Sequence, residues 1–328
     1  SRIFLGIQIQ CAQCHDHPTD RWTREQFHQL AAFFPRVSAR FNAEERTLTV
    51  SSQDRFLRRP GRGGMNRYVG TAEHTMPDLD DPSAPGKVMQ PIFFIDDRSL
   101  PLGTTDAVRR ISLAEWITDE GNEWFAKAAV NRIWSELIGR SFFDAVDDIG
   151  PDREAVSPEV LDVLASGFVS SGYDMKWLVR TIVSTDLYGR RAIEPTTIRP
   201  TAWTAPYRVP LRSDQLYDRL VAALQFTDRE LPAGRRVPGA GVASPRRGIA
   251  ELFGFDPSDS RSEWAESIPQ SLFLMNGPIV DRLVRADDGL AARLSQEILD
   301  LDDQLDEIYA YTLARTPQPS ERSTSKQH

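Results

Sequence analysis

The chain has 328 residues, of which 40% are hydrophobic and 26% charged, and its net charge is -8. This composition and a mean hydropathy of -0.40 are typical of soluble globular proteins, not of fibrous, disordered or membrane chains. The excess of 47 acidic over 39 basic residues is opposite to the charge of a phosphate-binding surface, so we expect no nucleic-acid partner. No run approaches the roughly 18 apolar residues of a membrane span, so we expect no transmembrane segment.

The first residue, Ser1, leads directly into an apolar pattern, without an initiator Met, a basic leader or a cleavage site. We therefore expect the sequence to be a piece of a longer chain, in which a preceding segment would decide the localisation.

The only two cysteines lie three residues apart, as Cys11 and Cys14, and His15 follows directly. Random placement would give this arrangement about once in ten thousand sequences. Cys-x-x-Cys-His is the pattern of covalent haem attachment, in which two thiols bond to the two vinyl groups and the adjacent imidazole coordinates the iron. The motif therefore predicts haem c, with both cysteines as anchors and His15 as the proximal ligand.

Three other interpretations of the motif stay open. Zinc, or another structural metal, would use Cys11, Cys14 and either His15 or His17, but the sequence offers no second half-site to complete four ligands. A thioredoxin-like dithiol would follow a strand, whereas the sequence here predicts helix on both sides of the motif. An inert disulfide or a free thiol pair is the last alternative, and zinc is the runner-up to haem.

A polar cluster follows the motif and contains Asp16, His17 and Asp20. These side chains are candidates for acid and base work in a haem enzyme that acts on a small oxidant or a polymer. The alternative is a solvated loop, because Pro18 interrupts any helix there. Met and His are the usual sixth ligands of electron-transfer haems, and the sequence does not choose among the distal candidates. These candidates are His74, Met65, Met76 and Met89.

The sequence after residue 22 predicts one helix, followed by an irregular region. Thr23 and Gln26 form a capping-box pattern, which predicts a helix that continues to Pro35. Residues 37–103 predict a small β/loop insert. Its β-like runs are 46–50 and 88–95, and its arginines at 55, 58, 59, 62 and 67 suit a solvated loop or, as a minority alternative, the binding of an acidic group such as a haem propionate.

From Thr104 onwards apolar residues recur at helical spacing, so the chain is predicted to be predominantly α and built of αα-hairpins. Gly139 is a predicted helix stop, and Ser157 and Asp174 are predicted N-caps. The predicted core stripes are Val108, Ile111, Ala114 and Ile117; Phe125, Ala129, Ile133 and Leu137; Leu161, Leu164 and Phe168; and Leu178, Val179, Ile182 and Val183. Trp116, Trp134 and Trp177 are predicted to lie in the core.

Asp147 and Asp148 resemble paired carboxylates for acid and base chemistry, with Asp152 nearby. Because no nucleophile motif accompanies them, we favour a structural role as caps or solvated loop residues.

Several segments together resemble a family of planctomycete-type cytochrome-associated secreted proteins. The segments are CAQCHDHPTDRW, FAKAAVNRIWSELIGR, AVDDIG, SPEVLDVLASGFVSSGYDMKWLVRTIVSTDLY, LRSDQLYDRLVAAL and SLFLMNGP. In this family a cytochrome c-like domain precedes two domains of unknown function. The resemblance implies that residues 1–103 are the C-terminal part of the first unknown domain and residues 104–328 the second.

The resemblance also implies a periplasmic or secreted location, haem c on Cys11, Cys14 and His15, and electron exchange with the upstream cytochrome c-like domain. A non-redox helical scaffold with a structural metal is the alternative function. Two departures from the family pattern stand out. The family often has Ser-His-Pro where this chain has Val156, Ser157 and Pro158, and often has a cysteine near Ser260.

Overall fold

Helices dominate the part of the chain that the structure describes, which confirms the predicted α class. This computed structural model describes residues 1–42, 47–52, 58–60, 66–68, 73–194, 202–225, 245–254, 267–285, 289–297 and 300–327. Two compact units are formed, Ser1–Arg208 and Val209–His328. No helix among the described residues combines the length and the apolar character that a bilayer crossing needs.

The first unit begins with helix α1 (Arg2–Leu5), a 3-10 turn (Gln10–Gln13) and helix α2 (Arg24–Ala31). The predicted capping box is confirmed, because the Thr23 hydroxyl accepts from the Gln26 N–H and the Gln26 side chain accepts from the Thr23 N–H. Helix α2 ends at Ala31, earlier than predicted, and turns lead on from there to Pro35.

The predicted helical flanks of the cysteine motif are wrong on both sides. Helix α1 lasts only one turn because Gly6 adopts φ 62° and its N–H caps the Arg2 carbonyl. A Cβ at this position would lie 2.6 Å from the Ile149 side chain, so glycine also permits the close approach of that segment. After the motif, turns and bends continue to residue 22.

The predicted β/loop insert is confirmed, and its described residues form three antiparallel two-stranded ladders. The pairs are β1 (Val37–Asn42) with β2 (Thr47–Ser52), β3 (Arg58–Pro60) with β4 (Asn66–Tyr68), and β5 (Thr75–Met76) with β6 (Lys87–Val88). The β-like run predicted over 88–95 is mostly wrong. Only Val88 and the bridging residue Ile92 pair there, since Phe93 and Phe94 turn into the core instead.

Four longer helices follow in the first unit: α3 (Asp106–Ile117), α4 (Glu123–Ile138), α5 (Pro158–Ser170) and α6 (Met175–Val183). Gly139 ends α4 with φ 88°, and the Asp174 side chain caps α6 by accepting from the Lys176 N–H, as predicted. Ser157 precedes α5 but its side chain makes no capping bond. The short break between α5 and α6 forms the expected αα-hairpin.

Three of the predicted core stripes need correction. On α6, Val179 and Val183 are exposed, and only Leu178 and Ile182 of the four predicted residues are buried. On α3, Val108 and Ile111 are exposed, and the buried face carries Asp106, Arg109 and Leu113. Arg109 is buried there because its partners, Glu73 and the Ala32 carbonyl, come from other segments, which periodicity alone does not reveal. Asp106 pairs within the helix, with Arg110 at 2.8 Å. On α4 the predicted set is half-buried, and the fully buried set lies one residue further along the chain: Ala126, Val130, Trp134 and Ile138.

Two hydrophobic clusters lie in the first unit. The N-terminal cluster is formed by Leu5, Ile7, Ile9, Ala12, Trp22, Phe33, Phe93, Phe94 and Leu113. The helical cluster centres on α4, α5 and α6 and includes Trp134, Leu161, Leu164, Phe168, Leu178 and Ile182. Trp116 packs against the first and Trp177 against the second, so all three predicted core tryptophans lie in or against a core.

The second unit contains helices α7 (Ser213–Leu224), α8 (Pro245–Phe253), α9 (Ile268–Asn276), α10 (Pro278–Val284), α11 (Leu290–Glu297), α12 (Leu301–Leu313) and α13 (Pro319–Gln327). Its buried side chains include Tyr217, Ile249, Leu283, Leu290, Leu294 and Leu305. The family resemblance predicts a domain boundary after residue 103. Residues 103 and 104 both belong to the first unit, so the division into two units does not test this boundary, which stays a prediction.

Candidate functional site

The cysteine motif lies on the 3-10 turn at the surface of the first unit. Ala12 points into the N-terminal cluster and is fully buried, whereas Cys11 and Cys14 on either side of it are exposed. Burial of Ile9 and Ala12 fixes which side of this turn faces the core, so both thiols face solvent. Neither cysteine forms a disulfide. The inner side of the turn therefore packs on the N-terminal cluster, and its outer side presents two accessible thiols.

His15 is exposed, and one of its ring nitrogens is already engaged. Its Nδ1 lies 2.7 Å from the carbonyl oxygen of Asp16. A carbonyl can only accept, so Nδ1 carries a proton, and in the neutral ring Nε2 is then the nitrogen with the free lone pair. Metal-ligating histidines commonly donate their other ring N–H to a backbone carbonyl in this way, which fixes the ring orientation.

The three polar candidates after the motif shape the loop that leads to α2. Asp16 accepts from the Arg24 N–H at 2.8 Å, at the first residue of the helix. His17 accepts at Nδ1 from the Thr19 N–H, at 3.3 Å. Asp20 accepts from the N–H of the next residue at 2.7 Å. These bonds give each side chain a structural role, and the catalytic role predicted for them stays a prediction.

A pair of histidines lies directly behind the motif. His28 on α2 is buried, and its Nε2 lies 3.1 Å from the carbonyl oxygen of Gln13, between the two cysteines. Its Nδ1 lies 2.8 Å from Nε2 of His74, and the two rings stack with centroids 5.1 Å apart. Since the Gln13 carbonyl must accept, the neutral pair has one consistent arrangement, with protons on Nε2 of both rings.

Burial is the main cause of a lowered pKa in both of these histidines. For His28 the Gln13 carbonyl partly opposes this effect and the charge of Arg24 adds to it. For His74 the neighbouring His28 adds to it. Each imidazole is therefore held in its neutral form more strongly than a free histidine. No pattern in the sequence links His28 to the motif, because the Gln13 carbonyl that it contacts is 15 residues away.

The predicted distal ligands lie in different surroundings. Nε2 of His74 is occupied by His28. Met89 is 2% exposed, and its N–H donates to the His74 carbonyl at 2.9 Å. Met76 is half-buried on β5, and Met65 lies outside the described residues. No observation selects one of the four as an iron ligand, so the sixth ligand stays a prediction.

A buried ion-pair cluster adjoins His74. Glu73 accepts from the guanidinium of Arg109 at 2.6 Å and from that of Arg36 at 3.0 Å, and from the Gly103 N–H at 2.9 Å. Burial would raise the pKa of Glu73, but the hydrogen bonds from Arg109 and Gly103 and the two positive charges lower it overall. Arg109 is fully buried and also donates to the carbonyls of Ala32 and Thr104.

The aspartates after α4 also have structural partners. Asp147 is 1% exposed and accepts from Arg2 at 2.6 Å and from Gln8 at 2.9 Å. Asp148 pairs with Arg153 at 3.1 Å. The predicted structural role of Asp147 therefore holds, but its predicted exposure to solvent is wrong. Its buried carboxylate binds Arg2 and Gln8 of the N-terminal segment.

Other predicted features are outside the described part of the chain. Residues 53–57 and 61–65 are not described, nor is Ser260, and the side chains of Arg58, Arg59 and Arg67 are not described either. Among the residues that are described, no group of three or more His, Cys, Asp or Glu side chains is arranged to hold a metal ion.

Fold and site together define a predominantly α-helical protein that presents an exposed Cys-x-x-Cys-His motif. Residues 1–39 match the family PSCyt2, described as "Protein of unknown function (DUF1549)", and residues 109–242 match PSD1, described as "Protein of unknown function (DUF1553)". The chain thus contains matches to two domains of unknown function that are paired in planctomycete-type cytochrome-associated proteins. Comparison with curated proteins and with solved structures found no match.

Proposed function

We propose that the chain carries a covalently attached haem c on Cys11, Cys14 and His15 and serves in electron transfer. The observation that carries this proposal is the hydrogen bond from Nδ1 of His15 to the Asp16 carbonyl, at 2.7 Å. In the neutral ring it leaves Nε2 as an oriented nitrogen donor on an exposed side chain, which is the form that a metal requires.

The thiols fit covalent attachment on grounds of access and oxidation state. Both are exposed and neither is paired in a disulfide, so each S–H group can add across one vinyl group, the sulfur bonding to one carbon and the hydrogen to the other. This addition needs no external oxidant. A haem held there supplies one-electron redox chemistry at its iron. In this proposal the chain's own residues anchor the group, supply the proximal nitrogen and fix its orientation.

The expected electron partner is a cytochrome-type protein or domain. Support comes from the cytochrome-associated character of the two matching families and from the resemblance of the sequence segments. The same resemblance supports a periplasmic or secreted location. The proposal includes no reaction on a substrate, because the loop residues Asp16, His17 and Asp20 all have local hydrogen-bond partners.

The test is expression of the chain with an export signal in bacteria that carry a cytochrome c maturation system. We expect a pyridine haemochrome spectrum of the thioether type and haem that stays on the chain under denaturing conditions. His15→Ala should abolish the native spectrum, and Cys11→Ser with Cys14→Ser should abolish covalent retention. His17→Ala is the matched control, since it removes an imidazole two residues away and should keep the haem.

Two results would refute the proposal. One is iron-free protein with two reactive thiols after expression in the maturation strain. The other is protein with about one equivalent of zinc and no Soret band, which would support the structural-metal alternative.

A further inference from the structure

A large cleft lies beside the loop that follows the cysteine motif. Its volume is about 1160 Å³, above the roughly 300–1,000 Å³ of most small-molecule sites. Its lining includes Arg21 from the loop and residues of the first turns of α4 and α5. Every lining residue belongs to the first unit. The space is large enough for a ligand of several linked rings.

Six of the charged side chains that line this cleft are paired with one another. Arg98 contacts Asp96 at 2.5 Å and Asp119 at 3.1 Å. Lys127 bridges Glu123 on α4 and Asp162 on α5, at 2.6 Å and 3.1 Å. Arg153 is paired with Asp148 just outside the lining. A ligand with a strong net charge of either sign would have to compete with these pairs.

Paired charges still have unused hydrogen-bonding capacity. A guanidinium offers five N–H donors and a carboxylate about four acceptor sites, and Arg98 and Lys127 are 35% and 26% exposed. Hydroxyl groups both donate and accept, so they can bind to such pairs without separating them. The Gly121 N–H and Arg98 hold the pKa of Asp119 below its usual range, so its acceptors persist into mildly acidic solution.

The same cleft also has apolar lining residues. Trp124 is half-buried, and Pro151, Pro158 and Phe143 line the same cleft. The face of an aromatic ring gives a large, rigid contact area for the C–H face of a sugar ring. A cleft that combines aromatic and apolar surface with ion pairs suits a ligand that has both C–H faces and hydroxyl groups.

We propose that this cleft is a binding site for a neutral oligosaccharide. The hydroxyl groups bind at the pairs of Arg98 and Lys127, and one sugar ring packs on Trp124. This proposal is independent of the haem, because none of its residues belongs to the cysteine motif.

The test is isothermal titration calorimetry on the full chain with neutral hexasaccharides of β-1,4-linked glucose, mannose and xylose. We expect at least one of them to bind with a Kd below about 1 mM. No binding by any of the three at up to about 5 mM would overturn the proposal. Binding of hexagalacturonic acid, or of a peptide of alternating Lys and Glu, without binding of a neutral sugar would overturn it too.

Two variants locate the site. Lys127→Met should weaken binding about tenfold, as expected when a charged hydrogen-bond partner is removed. Lys176→Met makes the same change at an exposed position of α6 outside the cleft and should leave binding unchanged. Arg98→Gln is the second test if Lys127→Met fails to fold. Unaltered binding in both cleft variants, or an equal loss in Lys176→Met, would refute the assignment.

Discussion

Glu73→Gln is the substitution that tests most directly how the segment behind the motif is held. The Glu73 carboxylate is buried between two guanidinium groups, and that of Arg109 is fully buried. An amide of the same shape keeps the packing but removes the negative charge. Arg109 would then stay buried as a cation whose partners are neutral: the amide oxygen at position 73 and the carbonyls of Thr104 and Ala32.

The structure sets the expected magnitude. Breaking a buried ion pair on one side costs about 3–5 kcal/mol, because the remaining charge is uncompensated. For a unit of the size of Ser1–Arg208, each kcal/mol lowers the midpoint by about 2–4 °C, so we expect a fall of about 6–20 °C. Differential scanning calorimetry of the chain measures this shift.

The matched control is Glu25→Gln. Glu25 pairs with Lys87 at 2.6 Å, but both side chains are about half exposed, and such surface pairs contribute about 0–1 kcal/mol. The same substitution should therefore change the midpoint little. A Glu73→Gln protein within about 1 kcal/mol of the wild type would show that the buried cluster is not held as described.

Low pH should also remove the stabilisation that the Glu73 carboxylate provides. The pKa of Glu73 in the folded chain is below its ordinary value of 4.5, so the unfolded chain binds the proton more readily. The stabilisation is complete above pH 4.5 and is lost as the pH falls through the lower folded pKa. Glu73→Gln should flatten this part of the stability curve, and an unchanged slope would contradict the assignment.

Two further predictions concern the first unit. The free energy of unfolding should decrease as the pH falls below 6.5, because burial lowers the pKa of His28 and His74, so that the unfolded chain takes up protons first. His28→Gln should make the free energy of unfolding less dependent on pH, as measured by urea titrations at several pH values. An unaltered pH dependence in this variant would contradict the prediction. Gly167→Ala should destabilise the protein by about 1–3 kcal/mol, because the new Cβ on α5 would lie 2.3 Å from the Trp177 ring. This effect should outweigh the higher helix propensity of alanine. A rise in the thermal midpoint would contradict the prediction.

The features that the sequence predicts well are local. The capping box of Thr23 and Gln26, the stop at Gly139 and the cap at Asp174 all depend on groups within three or four residues of each other. Their hydrogen bonds form in any context that allows a helix. The cysteine motif has the same local character, because its three chemically informative residues lie within five positions of the chain.

The features that the sequence does not predict depend on distant partners. Arg109 stands at a buried position of α3, where periodicity favours an apolar residue, and its partner Glu73 is 36 residues away. His28 is separated from His74 by 46 residues. A histidine or an arginine on a helix is usually exposed, and only the fold reveals which ones have buried partners. The displaced stripe on α3 has the same origin.

These distant contacts explain how a surface turn acquires a fixed geometry. The Gln13 carbonyl, between the two cysteines, is held by His28, and His28 is held by His74. The residue that precedes His74 is Glu73, which two arginines and the Gly103 N–H anchor. A displacement of Glu73 should therefore reach the cysteine turn through two hydrogen bonds. Since thioether attachment needs both thiols and the imidazole on one side, we infer that residues far from the motif in sequence help to pre-organise it.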